Sequence, residues 1–238
     1  MNLQEHIKNK ISEPSDDEKL AVNIMRTVGM LDELKLDYAI LGSCGIQSYF
    51  DYFLRLPNDL DILIHYENLF KIKNYCQEHN HEFVEQLGRT KISINELSIH
   101  IIPDKLNSID KVTNKIFTRI DLSRFIKHSP KRKVKLLNSS FCPEVHVFSL
   151  EVNLLVELVR PIYTGSLMNI FYVMRYLEID FYLFKTLYSE NVDLKEIIVF
   201  RLEEYPSKIE KMSYLSNSDI KLAIEKITSL RNSLTKTL

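Results

Sequence analysis

The chain has 238 residues with 31 basic and 32 acidic side chains, a formal net charge of −1. That length suits one or two domains and a core that needs no disulfide staples, and the balanced charge points to no particular partner. Apolar residues make up 45% and charged residues 26% of the chain, as in an ordinary globular protein. Glycine is scarce, with five residues (Gly29, Gly42, Gly45, Gly88 and Gly165) where an average chain holds about 7%. No G-x-G-x-x-G or G-x-x-x-x-G-K-[ST] can be built from them, which excludes a dinucleotide fingerprint and a Walker loop.

In chain order, Leu20, Ile24, Val28, Leu31 and Leu34 recur at helical spacing and predict a helix over 17–35. Tyr38–Leu41 reads as a short buried strand ending at Gly42. Residues 45–54 read as a helix, and 60–64 as a second strand around Asp61. A helix is expected over 66–78, with Leu69, Ile72 and Cys76 on one face, then strands over 90–94 and 97–102 joined by a turn at Asn95 and Glu96. This order predicts an α/β (α+β) domain with a small mixed sheet. Two further short strands are expected over 134–137 and 145–148. From Ser149 the pattern turns helical, over 150–160, 167–188, 193–203 and 217–234. The domain boundary is therefore placed at 148: an α/β domain over 1–148 and a C-terminal helical domain over 149–238.

Cys44, Cys76 and Cys142 are too few and too scattered for a disulfide framework or a C-x-x-C metal pair, which suits a reducing compartment. The N-terminus is polar, and charges interrupt the longest apolar stretch, 167–184, so a cytoplasmic protein without a membrane span is expected. Residues 105–135 hold ten basic and two acidic side chains, a local net charge of +8. Such a span is either a solvated face or a contact for RNA.

The segment 41–64 concentrates the chemistry. Alternate residues of a strand share a face, so Asp59 and Asp61 point together and can share a hard cation such as Mg²⁺ or Mn²⁺. Gly42 lets the backbone approach a ligand closely, and Ser43 stands at the start of the next helix, where free N–H groups favour phosphate. Together these residues suggest a site for a metal-bound polyphosphate. Cys44 has no base in the sequence beside it and reads as a packing residue.

Leu41-Gly42-Ser43, followed by Arg55, Pro57, Asp59, Leu60 and Asp61, resembles the nucleotidyltransferase superfamily of the polymerase-beta type. The likeness is nearest to the branch of abortive-infection toxins and aminoglycoside and lincosamide nucleotidyltransferases. There a Gly-Gly or Gly-Ser pair precedes a helix and an Arg-x-Thr-x-Asp-h-Asp-h strand, with h apolar; Pro57 replaces the Thr. The resemblance covers 18–104 and extends more loosely through 145–151. It implies a nucleoside triphosphate substrate, Asp59 and Asp61 as metal ligands, and transfer of a nucleotidyl group to a hydroxyl of tRNA, a protein or a small molecule, with a toxin-like role among the options. Gly42, Ser43 and Arg55 would then serve the nucleotide, Arg55 by supporting the aspartate pair.

The family's third carboxylate is replaced. Alignment puts His100 at its position, with Glu96 and Asp104 nearby. Histidine can accept a proton near neutral pH but is a poorer Mg²⁺ ligand than a carboxylate. The helical part lacks the family's lysine for the triphosphate, with Lys135 and Arg160 as substitutes, and the Arg175–Asp180 spacing faintly resembles a Lys-Asp-x-x-Asp element. The rival reading is a catalytically lapsed relative that binds nucleotide or RNA without transfer. Tyr172 and Tyr176 are candidates for stacking a base, within an aromatic set read mainly as core. His79 and His81 read as a solvated turn.

Overall fold

The structure is a computed structural model that describes residues 16–50, 59–86, 89–94, 97–103, 105–109, 116–135, 142–159, 164–191, 194–213 and 215–235. The chain divides into two compact units, 1–103 with 123–147 and 104–122 with 148–238.

The first unit is mixed α/β. Helix α1 spans Asp16–Glu33, strand β1 Tyr38–Leu41, helix α2 Gly42–Gln47 and strand β2 Asp59–Ile64. A 3₁₀ turn over Tyr66–Asn68 leads into α3, Leu69–Glu78, followed by β3 (Glu82–Gln86), β4 (Arg89–Ile94) and β5 (Leu97–Pro103). The five strands form one sheet in the order β1-β2-β5-β4-β3. Only the β2–β5 pair is parallel.

Strand alternation sorts this sheet into two faces. Tyr38, Ile40, Leu60, Ile62, Ile64, Ile92 and Ile99 join Leu20, Ile24 and Leu31 of α1 and Ile72 and Cys76 of α3 in the core. The opposite face carries Asp59 and Asp61 of β2, His100 of β5, and Lys91 and Ser93 of β4. Both flanking helices end in a left-handed residue. Lys35 (φ 52°) follows α1 and Asn80 (φ 55°) follows α3. The next N–H then reaches back five residues, Leu36 to the Leu31 carbonyl at 2.9 Å and His81 to the Cys76 carbonyl at 2.8 Å. These closures turn the chain sharply into β1 and β3.

A short helix α4 (Ser123–Ile126) and a two-stranded ladder of β8 (Lys131–Lys133) and β9 (Glu144–His146) complete this unit, with β6 (Lys105–Ile109) and β7 (Ile116–Asp121) pairing separately in the second. The β8 strand lies before the expected position of 134–137, of which 136 and 137 fall outside the described residues. Strands β3, β6 and β7 have no counterpart in the sequence reading. Helix α2 starts at Gly42, three residues earlier than expected, and residues 51–54 of the predicted helix lie outside the described residues.

The second unit holds helices α5 (Leu150–Val159), α6 (Thr164–Tyr176), α7 (Phe181–Glu190), α8 (Lys195–Ile209) and α9 (Asn217–Thr235). All ten residues of α5 are buried, which makes it the axis of this unit. Its three polar side chains are each engaged. Glu151 Oε1 accepts the Asp180 N–H at 3.0 Å. Asn153 Nδ2 donates to the Phe148 carbonyl at 3.1 Å, and Glu157 Oε1 accepts from Asn169 Nδ2 at 3.1 Å.

The single helix expected over 167–188 is two helices. Asp180 caps α7, its carboxylate accepting the Leu183 N–H at 2.9 Å, and this local bond competes with helix continuation. Arg175, at the end of α6, instead pairs through Nε with Asp219 Oδ1 at 2.6 Å. Arg175 and Asp180 thus have separate structural duties and share no helix. Among the described residues, no helix is long and apolar enough to cross a membrane.

Ile62 is fully buried in the central strand. Ile62→Ala should lower the unfolding free energy by about 2–5 kcal/mol. Phe70→Ala, at a side chain 59% exposed, should stay within about 0.5 kcal/mol. Urea denaturation checks both.

Candidate functional site

The site is assembled by strand register. Antiparallel pairing puts Leu41 opposite Asp61, so the chain leaves β1 at Gly42 beside that carboxylate. Parallel pairing puts Asp59 opposite Ser98 and Asp61 opposite His100. Lys91 of β4 is opposite His100 on its other side, giving a row of Asp61, His100 and Lys91 across one face. Neighbouring strands are about 4.8 Å apart, so the Lys91 and Asp61 backbones are separated by about 10 Å, within reach of a lysine side chain and one phosphate.

His100 Nδ1 lies 3.1 Å from Asp61 Oδ1 and 3.4 Å from Asp59 Oδ2. One ligand atom from each of Asp59, Asp61 and His100 falls within 4.8 Å of the others, the only such cluster among the described residues. His100 and Asp61 are deep, with side chains 10% and 14% exposed, whereas Asp59 is 42% exposed and opens the site to solvent. Two converging carboxylates repel each other, and a divalent cation held between them removes that cost. Two carboxylate oxygens and an imidazole nitrogen converging on one point are therefore a donor set that fits a divalent metal ion.

Gly42 adopts φ 67°, a left-handed conformation that strongly favours glycine, immediately after the β1 residue paired with Asp61. Ser43 follows as the second residue of α2 and is half-buried. Cys44 is fully buried in the core, and its thiol is pushed up to about 12 by burial and then by the negative Asp61 and Asp59 carboxylates. A thiol so held stays protonated at neutral pH and is no nucleophile, in line with its reading as a packing residue.

Arg55 and Pro57 lie outside the described residues, as do Glu96, Asp104 and Arg160. The basic span does not fall in one unit: 105–122 belongs to the second and 123–135 to the first. In the first unit Arg124, Lys127, Lys131 and Lys133 are exposed, and the Arg132 guanidinium sits 3.9 Å from the Tyr49 ring centroid. In the second unit Tyr172 and Tyr176 contact Phe171 edge-on, at ring separations of 5.6 and 6.2 Å. His79 and His81 are stacked in a series with Tyr75. A cavity of about 340 Å³ lies at the far end of β1, lined by Asp32, Lys35, Tyr38, Lys127 and His146 among others, and includes none of the cluster residues.

Lys91 was not singled out from the sequence. The alternation of Lys91 and Ser93 with Ile92 and Ile94 marks a polar face on β4, but only the register shows that this face is shared with the aspartates.

No known family pattern matches the sequence, and no curated protein matches it. Several solved structures do resemble it. The antibiotic-resistance factor ANT(2'')-Ia is 13% identical, with 93% of this chain and 94% of that chain covered and a TM-score of 0.46. The lincosamide antibiotic adenylyltransferase LnuA, bound to lincomycin, is 13% identical over 62% of this chain and 91% of its own, with a TM-score of 0.41. A tRNA nucleotidyltransferase complexed with a primer tRNA and an ATP analogue is 13% identical over 87% and 60%, with a TM-score of 0.36.

The Cys44 thiol gives a pH test. Its ordinary value of 9.0 applies to the unfolded chain and about 12 to the folded one. Between those values the unfolded state loses a proton that the folded state keeps. Stability is therefore unaffected by this group below pH 9 and falls above it, by up to about 1.4 kcal/mol per pH unit. Cys44→Ala should reduce the alkaline loss of stability measured by denaturation between pH 8 and 10.5, leaving the part due to the buried Cys76 thiol, which burial pushes up to about 11.

Proposed function

We propose that this protein is a divalent-cation-dependent nucleotidyltransferase, moving a nucleotidyl group from a nucleoside triphosphate to a hydroxyl acceptor. The observation that carries this reading is the convergence of Asp59, Asp61 and His100 within 4.8 Å beside a glycine at φ 67°. Asp59 and Asp61 would hold Mg²⁺ or Mn²⁺, which would neutralise charge on the triphosphate and on the attacking oxygen. His100 stands at the third position of the set. Gly42, without a Cβ and at φ 67°, lets a phosphate oxygen approach the backbone closely. Ser43 contributes a hydroxyl to the same phosphates, and Arg55 supports the aspartate pair. Lys91, next in the row after His100, supplies a cation for the outer phosphates.

In the transfer step, the acceptor oxygen bonds to the α-phosphorus and the bond to the α–β bridging oxygen breaks. Pyrophosphate leaves with that oxygen, and the hydroxyl proton passes to solvent at the open, Asp59 side of the cluster. The acceptor is a hydroxyl of RNA, a protein or a small molecule; an acceptor essential to the cell would make the activity toxic. The exposed Arg124, Lys127, Lys131 and Lys133 support RNA contact in the same unit as the cluster. The chain from 149 to 238 is the helical domain of this reading, and 1–148 the catalytic one.

Incubation with labelled nucleoside triphosphates, Mg²⁺ or Mn²⁺, and total RNA or lysate should transfer label, and Asp59→Ala and Asp61→Ala should each abolish it. Retained triphosphate binding without transfer to any acceptor would instead favour a lapsed, binding-only protein. Lys91→Ala should weaken triphosphate binding by about tenfold, the loss of one charge-assisted hydrogen bond. Lys221→Ala, at a side chain 77% exposed on α9, should leave binding unchanged. Calorimetry with a non-hydrolysable triphosphate measures both.

A further inference from the structure

We propose that His100 is a direct ligand of the metal and makes the centre selective for Mn²⁺ over Mg²⁺. This rests on the nucleotidyltransferase reading for the use of the ion, but its own content is the coordination chemistry of one side chain.

The position of His100 is set by the sheet. It sits on the central parallel pair, opposite Asp61, and is 8% exposed. Burial on a strand flanked by two others leaves its ring little freedom to swing away. The ring atom directed at the carboxylates is Nδ1, 3.1 and 3.4 Å from one oxygen of each. An ion that draws those two oxygens to coordination distance meets the same nitrogen as its third protein donor. Among the described residues no third carboxylate joins the cluster, so nitrogen completes the set there.

The consequence follows from ligand chemistry. Mg²⁺ is small, prefers oxygen donors in a near-ideal octahedron, and dehydrates reluctantly. Imidazole nitrogen adds affinity for first-row transition ions. A set of two carboxylates and one imidazole thus favours Mn²⁺ over Mg²⁺ more strongly than the same site with a third carboxylate. It also assigns the His100 Nδ1 lone pair to the metal, which removes this nitrogen as a general base. The competing arrangement keeps His100 outside the coordination sphere as a hydrogen-bond donor to Asp61. That arrangement predicts no nitrogen on the metal and no effect on preference beyond a general weakening.

The experiment uses the full chain as wild type, His100→Asp and His100→Asn, each checked for folding by thermal unfolding. Mn²⁺ binding is followed by electron paramagnetic resonance, with Mg²⁺ as competitor at one fixed pH. Electron spin-echo modulation then detects directly bound nitrogen. The wild type should show ¹⁴N modulation that changes to the ¹⁵N pattern on ¹⁵N-histidine labelling and vanishes in both variants. The ratio of Mg²⁺ to Mn²⁺ dissociation constants should fall by about tenfold in His100→Asp. Absence of nitrogen coupling, or an unchanged ratio in His100→Asp, overturns the proposal. Label transfer with Mn²⁺ lacking nitrogen coupling would overturn it and leave the nucleotidyltransferase reading standing. Nitrogen-coupled Mn²⁺ whose affinity and spectrum ignore added triphosphate would do the reverse. Failure of the wild type to bind Mn²⁺ would sink both.

Discussion

The first unit depends on one strand presenting two incompatible faces. Along β2, Leu60, Ile62 and Ile64 enter the core, while Asp59 and Asp61 emerge opposite them. The strand alternation that anchors β2 in apolar packing also forces the two carboxylates together, since turning them apart would pull the isoleucines out of the core. Burial thus enforces a like-charge pairing that the carboxylates alone would avoid. Strand β2 stands inside the sheet, where pairing with β1 and β5 fixes its register on both sides.

That register brings three separate parts of the chain to the aspartates. From β1 comes Gly42, whose left-handed backbone ends the strand opposite Asp61. From β5 comes His100, and from β4 Lys91 beyond it. The result is an electrostatic gradient across the face, from carboxylates through imidazole to ammonium, while burial first and the negative carboxylates second push the Cys44 thiol up. A bound metal and a polyphosphate would follow the same gradient, cation at the aspartates and outer phosphates toward the lysine.

The second unit follows a different logic. Helix α5 is buried on every side, so its polar residues need internal partners. Glu151, Asn153 and Glu157 find them in the Asp180 backbone, the Phe148 carbonyl and Asn169. Glu151 and Asp180 together explain the break between α6 and α7. One receives the Asp180 N–H, and the other caps α7 through Leu183. The Arg175–Asp180 spacing faintly resembles a family element in the sequence, yet a capping carboxylate shows its duty only through its partners.

Much of this was legible in the residues alone. Helical spacing in 17–35 located α1, the apolar run before Gly42 located β1, and Asp59-Leu60-Asp61 announced two aspartates on one face of a strand. Periodicity and turn chemistry are local properties, carried within a few residues of chain. Strand β3 went unseen because Glu82–Gln86 is short and only partly apolar, and it becomes a strand by pairing with β4. Lys91 could not be connected to Asp61 because they share a face only through β5. The sequence by itself determined which residues alternate, where the backbone can turn and which side chains carry charge. Only the tertiary structure decided which strands are neighbours and in what register, because pairing between segments some 40 residues apart depends on how the whole sheet buries its apolar face.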